Sequence, residues 1–227
     1  MADFHWRVRR ASTVGRFSDG LVVQSGTRGL LQLSVCRASA RRVASGDFGL
    51  LGPLVAACAS EGIRRDTGVI SWLHWPNLVT IDGRVVAMTS LSLTPPLEPG
   101  SKARVVFGVL VNCSAGRPPS FPSGLPAVSI LEALGVEIGV GLLRDKILHA
   151  LDWYFAEWER GMHRKLVERM EPTISWLGSD VLVRTTDARV LAGRAEGLDD
   201  QGSLRLERKA GTLTVPAASV ELVTAVK

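Results

Sequence analysis

The side chains best suited to nucleophilic or metal chemistry are thinly spread along this chain. The three cysteines, Cys36, Cys58 and Cys113, lie far apart and form no Cys-x-x-Cys pair. Such spacing carries neither a zinc signature nor a disulfide framework. The four histidines are equally scattered, so we expect no structural metal site.

Basic side chains are the second possible source of function. The chain has 27 Lys and Arg against 22 Asp and Glu, a net charge of +5, and a pI near 9.6. That balance can indicate a nucleic-acid partner. The arginines are distributed along the chain, however, and the tightest cluster is the short run Arg37-Ala-Ser-Ala-Arg41-Arg42. We therefore regard a nucleic-acid partner as the weaker interpretation.

Hydrophobic periodicity predicts the elements that must position any site. Two long helices are expected, Phe48–Ile63 with Gly62 as its C-terminal stop, and the strongly amphipathic Gly141–Gly161. A short helical piece is expected at Ile130–Leu134. Asp82-Gly83 has the composition of a hairpin turn. The runs with strand character are Gly20–Gln24, Leu30–Val35, Val69–Trp72, Leu78–Ile81, Arg84–Leu93 and Arg104–Val111.

A different pattern begins after Pro172. Short strand-like runs follow one another here, separated by turn residues, which is typical of a small barrel. They are Asp180–Thr185, Val190–Gly197, Ser203–Arg208, Thr212–Pro216 and Val220–Val223. We predict one domain over residues 1–172 and a small barrel over residues 173–227.

Targeting signals are not evident in the sequence. The longest apolar run, Val105–Val111, is too short to span a membrane. The first residues, Met1–Arg10, carry several charges and no apolar core typical of a secretory signal. We therefore expect a cytoplasmic location and no membrane partner.

Several short motifs occur in an order that matches a known family. These are Ser12-Thr13, Val22-Val-Gln24, His74-Trp-Pro-Asn77, Ile81-Asp-Gly-Arg84, Val106-Phe-Gly-Val-Leu-Val-Asn112, Ser129-Ile-Leu-Glu-Ala-Leu-Gly135 and Gly178–Val223. Together they resemble the biotin–protein ligase family, whose hallmarks are Lys-Trp-Pro-Asn-Asp, a lysine-bearing strand ending in Ala-Gly, and Gly-x-Gly-x-Asn. A single Trp-Pro-Asn would be weak, but the shared order covers nearly the whole chain.

This resemblance implies an α+β fold, with a mixed β-sheet flanked by helices as in class II aminoacyl-tRNA synthetases, and a C-terminal SH3-like barrel. The family joins biotin and ATP into biotinyl-adenylate, with Mg²⁺, and transfers biotin to a lysine of a carrier protein. Partners would be a biotin carboxyl carrier domain or a ligase subunit, and a homodimer is possible. The resemblance assigns biotin binding to Ser12, Thr13, Gln24 and Gly29, nucleotide binding to Trp75, Asn77 and Asn112, and catalysis to His74, Arg84 and Arg28.

The chain departs from the family pattern at the residues that carry charge. His74 replaces the first motif lysine, Leu78 the aspartate, Val85 the second lysine and Met88 the glycine after it. The family's Gly-Arg-Gly-Arg loop is reduced to Ser25-Gly-Thr-Arg-Gly29. Each preorganised charge lost at a developing phosphate charge typically costs about 2.7–4 kcal/mol.

Three functions stay open at this point. The first is a working minimal ligase, with Arg28 or Arg84 compensating for the lost lysines. The second is a ligase-like protein that has lost adenylation and binds a small molecule, a carrier domain or a ligase subunit. The third, a nucleic-acid-binding accessory protein, depends only on the basic pI.

Overall fold

Two antiparallel sheets form the framework of the protein. The computed structural model describes residues 13–17, 20–25, 29–39, 45–94, 104–114, 121 and 124–226. The larger sheet has the strand order β1-β2-β3-β7-β6-β5-β4. Its strands are β1 (Thr13–Phe17), β2 (Gly20–Ser25), β3 (Leu30–Ala38), β4 (Trp72–His74), β5 (Leu78–Ile81), β6 (Arg84–Thr94) and β7 (Arg104–Asn112). The predicted α+β class is confirmed. The expected mixed sheet is corrected, because all pairs of these described strands are antiparallel.

Helices cover one face of this sheet. They are α1 (Leu51–Thr67), α2 (Ile130–Leu134), α3 (Val140–Glu159) and α4 (His163–Met170). Along β3 the alternate residues Leu31, Leu33 and Val35 are buried in the same core as the apolar side of α1 and α3. Since side chains alternate along a strand, the intervening residues face the opposite side of the sheet.

The first long helix corrects one prediction. It does not stop at Gly62 but continues to Thr67 and ends at Gly68, whose left-handed backbone (φ 73°) directs its N–H to the Arg64 carbonyl. Gly62 lies inside the helix because α3 crosses there. A Cβ at this position would come within 2.4 Å of Ile147 Cγ1 and 3.0 Å of Ile147 Cα.

We expect Gly62→Ala to lower the free energy of unfolding by about 1–3 kcal/mol, since the new methyl group overpacks the helix crossing. Gly52→Ala, in the same helix but with nothing within 4 Å of its would-be Cβ, is the matched control. That variant should be neutral or up to about 1 kcal/mol more stable, because alanine favours helix. Urea denaturation measures both, and equal effects would contradict the close crossing.

A buried carboxylate joins three of the helices. Glu61 of α1 is 5% exposed. It accepts hydrogen bonds from Tyr154 Oη of α3 (2.9 Å) and Arg169 Nη2 of α4 (2.9 Å), and it pairs with Arg65. A buried charge needs such partners, so this cluster ties the helical layer together.

The five predicted C-terminal strands are confirmed as a second sheet. They are β8 (Asp180–Thr185), β9 (Val190–Leu198), β10 (Leu204–Arg208), β11 (Gly211–Val215) and β12 (Val220–Ala225), in the order β11-β10-β9-β8-β12. Val181, Val183, Leu204 and Leu206 alternate into its interior. The SH3-like barrel expected here is thereby observed.

The barrel packs closely on the larger sheet and on the start of α1. A Cβ at Gly202 would approach Leu50 Cα to 2.9 Å, and one at Gly49 would approach the Gln201 carbonyl oxygen to 2.9 Å. The Leu198 amide donates a 2.7 Å hydrogen bond to Glu171 Oε1. The backbone of the barrel thus lies close to the backbone of the residues just before α1.

Two further predictions are changed by the structure. The run Val69–Trp72 is not a strand, because strand pairing begins only at Trp72 and extends to His74. Arg37, from the basic cluster, forms a 2.8 Å ion pair with Asp152 and stacks over Phe155. Its role is structural, whereas Arg41 and Arg42 lie outside the described residues.

Within the described chain, no helix has the length and apolar character needed to cross a membrane.

Candidate functional site

The antiparallel register brings the altered motif positions into one row across the larger sheet. His74 of β4 lies opposite Leu78 of β5, Leu78 lies opposite Met88 of β6, and Met88 lies opposite Leu110 of β7. Residues that are directly opposite point to the same face. Val109 and Val111, which flank Leu110, belong to the core under the helices, so the row occupies the other face.

A bulge brings Val85 to the same face. The β5–β6 register shifts between Val79 and Thr80, so that Thr80 pairs with Val85 while Val79 pairs with Ala87. Val85 is fully buried. It belongs to a second apolar cluster, separate from the main core, whose buried members are Leu78, Val85, Met88, Leu110 and Phe121. We call these five residues the apolar row cluster.

Asn112 stabilises the border of this cluster. The side chain is fully buried, and its Nδ2 donates a 3.1 Å hydrogen bond to the Val128 carbonyl oxygen. Val128 N–H in turn donates to the Val85 carbonyl oxygen (2.9 Å), and Val85 N–H donates to the Pro126 carbonyl oxygen (2.7 Å). The segment around Val128 is thereby held beside β6, and Asn112 has a structural partner.

Gly29 occupies a turn whose backbone conformation favours a residue without a side chain. Its φ of 87° lies in the left-handed region that favours glycine. Its carbonyl oxygen accepts hydrogen bonds from the amides of Cys113 and Ser114, each 2.9 Å long. The turn before β3 therefore meets the end of β7, beside the Leu30–Asn112 pair.

The Trp-Pro-Asn turn faces the barrel. Trp75 is fully buried, and its Nε1–H donates a 3.0 Å hydrogen bond to the Gly202 carbonyl oxygen. The backbone carbonyl of Asn77 accepts from the Thr89 amide (2.8 Å) and hydroxyl (3.2 Å). These contacts make Trp75 a packing residue at the junction of the two sheets, whereas Asn77 borders a groove.

His74 is held in a setting that favours the neutral imidazole. Burial lowers its pKa, and the backbone of Val223 in β12 opposes that effect in part. The ring lies edge-on to Trp176, with 6.4 Å between ring centroids. A neutral imidazole here supplies no permanent cation, in contrast to a lysine.

Arg84 lies apart from His74. It pairs with Ile81, three residues along β5 from Leu78, which is the partner of His74. Three residues of strand correspond to roughly 10 Å. The pKa of the nearby Glu132 carboxyl is lowered mainly by its hydrogen bonds with Ser129 and further by the charge of Arg84. The structure therefore separates these two predicted catalytic residues.

The predicted biotin-binding residues are described only in part. Ser12 and the predicted catalytic Arg28 lie outside the described residues. For Thr13 and Gln24 the backbone alone is described, and they lie directly opposite each other in β1 and β2. Gln24 lies opposite Leu33. Their row therefore continues through Leu33 to Val109, both in the core under the helices, and it is not the row that ends in Leu110.

A groove of about 680 Å³ lies where the larger sheet meets the barrel. Its lining comes from the larger sheet (Asn77, Ser90, Leu91), the residues at the start of α1 (Gly49, Gly52) and the barrel (Gln201, Val220). Its lining is largely apolar. Among the described residues, no group of three or more His, Cys, Asp and Glu side chains is placed to hold a metal ion.

Comparison with known proteins finds similarity to biotin protein ligases. The family model described as biotin protein ligase C terminal domain matches residues 177–223, which covers the barrel. The bifunctional ligase/repressor BirA of Bacillus subtilis is 25% identical over 173 residues, 74% of this chain. The barrel is thus similar to the C-terminal domain of biotin protein ligases, and most of the chain is similar to this BirA. It spans about half the length of the curated relatives that it matches, 51% for this BirA.

Solved biotin protein ligases share the fold. The apo enzyme of Aquifex aeolicus superposes with a TM-score of 0.72 at 16% identity, covering 87% of this chain and 83% of the enzyme. The same enzyme in complex with biotin and ATP gives 0.71 at 17% identity, with 87% and 79% covered. A biotin protein ligase-like protein of unknown function from Silicibacter gives 0.69 at 16%, with 88% and 84% covered.

One departure from the biotin protein ligase pattern was not among the replacements predicted from the sequence. In the family's Gly-x-Gly-x-Asn strand the first glycine corresponds to Gly108 and the asparagine to Asn112, so the second glycine is Leu110. The strand register reveals its importance, because Leu110 lies opposite Met88, the other glycine position. The signal in the sequence was a large apolar residue where the family keeps backbone accessible.

Proposed function

We propose that this protein is a biotin protein ligase family member that no longer forms biotinyl-adenylate and functions by binding. The observation that carries the proposal is the apolar row cluster. The positions of the family's Asp, its second Lys and its two glycines are occupied by Leu78, Val85, Met88 and Leu110, and all four side chains are at most 8% exposed.

The chemistry of adenylation explains why this cluster matters. A carboxylate and a triphosphate repel each other, and their reaction requires cations aimed at the developing charge. Leu78 and Val85 supply no charge, while His74 lies in the row as a neutral ring. Met88 and Leu110 fill space that two glycines would leave open to a ligand.

We expect the protein to catalyse no biotin-dependent exchange of labelled pyrophosphate into ATP. The reason is that the described face offers packed hydrocarbon in place of the cations that adenylation needs. The Bacillus subtilis BirA, assayed in parallel, is the positive control.

A working ligase would give the opposite result. Exchange that requires biotin and disappears in Arg84→Gln would show that Arg84 replaces the lost lysines, and it would overturn the proposal. Arg194→Gln, an exposed arginine of β9 in the barrel, is the matched control for removing a positive charge. It should leave any exchange unchanged.

For the binding role, we propose a protein partner that the family already suggests, either a biotin carboxyl carrier domain or a ligase subunit, which includes a second copy of this chain. The groove between the larger sheet and the barrel supports this proposal, because its largely apolar lining suits a protein surface. We further propose that residues 1–172 and 173–227 are its two structural units.

A further inference from the structure

The contact between β4 and the barrel contains an ionisable group without a charged partner. His74 is the last residue of β4, and its ring lies against Trp176 and the backbone of Val223. Trp176 belongs to the segment that leads into the barrel, and Val223 to its last strand, β12. The ring therefore lies between the two sheets.

Two buried polar atoms at this contact have no hydrogen-bond partner among the described residues. They are His74 Nε2 and Trp176 Nε1. Most buried polar groups in proteins are satisfied, and an unsatisfied one opposes burial by its cost of desolvation. The docked arrangement is therefore less favourable at this point than at Trp75, whose indole N–H is bonded to the Gly202 carbonyl oxygen.

Charged groups on the neighbouring elements do not compensate a cation here. β4 (Trp72–His74), β5 (Leu78–Ile81) and residues 174–176 contain no charged residue other than His74 itself. On β12 the charged residue is Glu221, which is exposed and pairs with Arg184 at 2.9 Å. A proton on His74 would thus place an unpaired charge inside the contact, which is strongly unfavourable.

We propose that His74 makes the docking of the barrel onto the larger sheet pH-sensitive, with the docked arrangement held at neutral pH and loosened in acid. The groove shares its walls between the sheet and the barrel, so loosened docking also changes the groove. This pH sensitivity of docking requires a histidine, because a lysine at this position is charged at every physiological pH.

The direction follows from linkage. Burial depresses the pKa of His74 in the docked state below its usual value of 6.5, so the released state binds more protons. Docking is therefore undiminished above pH 6.5 and weakens as the pH falls below it. If His74 stayed neutral while docked, the equilibrium constant for docking would be about tenfold lower at about pH 5.5 than at neutral pH.

The test is hydrogen exchange of the full chain by NMR at about pH 7.5 and about pH 5.5, read as protection factors. Two reporters have hydrogen bonds that cross the contact: the Trp75 indole N–H, bonded to the Gly202 carbonyl, and the Leu198 amide, bonded to Glu171. We expect both to lose protection at the lower pH, by up to about tenfold. The Val109 amide in the central strand β7 should be unchanged.

His74→Phe keeps an aromatic ring at the contact but cannot take up a proton, so its reporters should lose no protection in acid. His74→Gln is a second neutral variant in case the first does not fold. His149→Gln, at an exposed position on α3, is the matched control and should behave as the wild type. Equal acid loss in wild type and both His74 variants, no loss in wild type, or a loss that includes Val109 would each overturn the proposal.

Discussion

Trp75→Ala is expected to lower the free energy of unfolding by about 3–5 kcal/mol, the usual cost of removing a fully buried aromatic side chain. Trp75 is inaccessible to solvent, and its indole donates to the Gly202 carbonyl of the barrel. The substitution removes both the packing of the indole and its hydrogen bond from the contact between the larger sheet and the barrel. We therefore expect the barrel to detach from the larger sheet more readily than either sheet unfolds.

A pair of Trp→Phe variants separates the hydrogen bond from the packing. Trp75→Phe leaves the Gly202 carbonyl without its donor and should cost about 1–3 kcal/mol. Trp176→Phe makes the same chemical change nearby, where the indole N–H has no partner. Because that change removes an unsatisfied polar group, the variant should be neutral or more stable. Urea denaturation measures both, and equal losses would contradict the anchoring role of Trp75.

Leu110→Ala and Met88→Ala are each expected to lower the free energy of unfolding by about 2–5 kcal/mol. The two residues are opposite each other in adjacent strands and are 7% and 8% exposed. Truncation of either side chain leaves a cavity in the apolar row cluster. Because they are in contact, the double variant should show a coupling energy of about 0.5–3 kcal/mol.

Val106→Ala provides the matched control for these variants. Val106 lies on the same strand and the same face as Leu110, two residues before Gly108, but it is only partly buried and outside both apolar cores. Its truncation should cost less than about 1 kcal/mol. Small and equal effects at Val106, Leu110 and Met88 would show that the face is open, as a ligand-binding ligase requires, and would count against loss of adenylation.

Much of the local structure could be predicted from the sequence, because local patterns determine it. The alternation in β3, the helical repeat of Leu143, Ile147 and Leu151 in α3, and the five short barrel strands all appear where the periodicity placed them. The hairpin at Asp82-Gly83 has the two positive φ angles, 49° and 73°, that its composition favours.

Gly62 shows where such patterns are insufficient. A glycine near the end of an apolar repeat usually marks a helix stop, but here it serves the close approach of Ile147, which is 85 positions further along the chain. The same holds for His74. The residue type of His74 is read from the sequence. That its imidazole is neutral follows from burial of the ring against Trp176 and the backbone of Val223.

The amino-acid sequence by itself determined most of the elements, the likeness to biotin protein ligases, and the individual replacements at His74, Leu78, Val85 and Met88. Only the tertiary structure decided that these replacements, together with Leu110, come together on one face as a cross-strand row with a shared apolar cluster. The physical reason is that strand register and the bulge directly after Val85 join residues distant in the chain. Side-chain types follow from the sequence, but which side chains contact one another follows from strand pairing across the sheet.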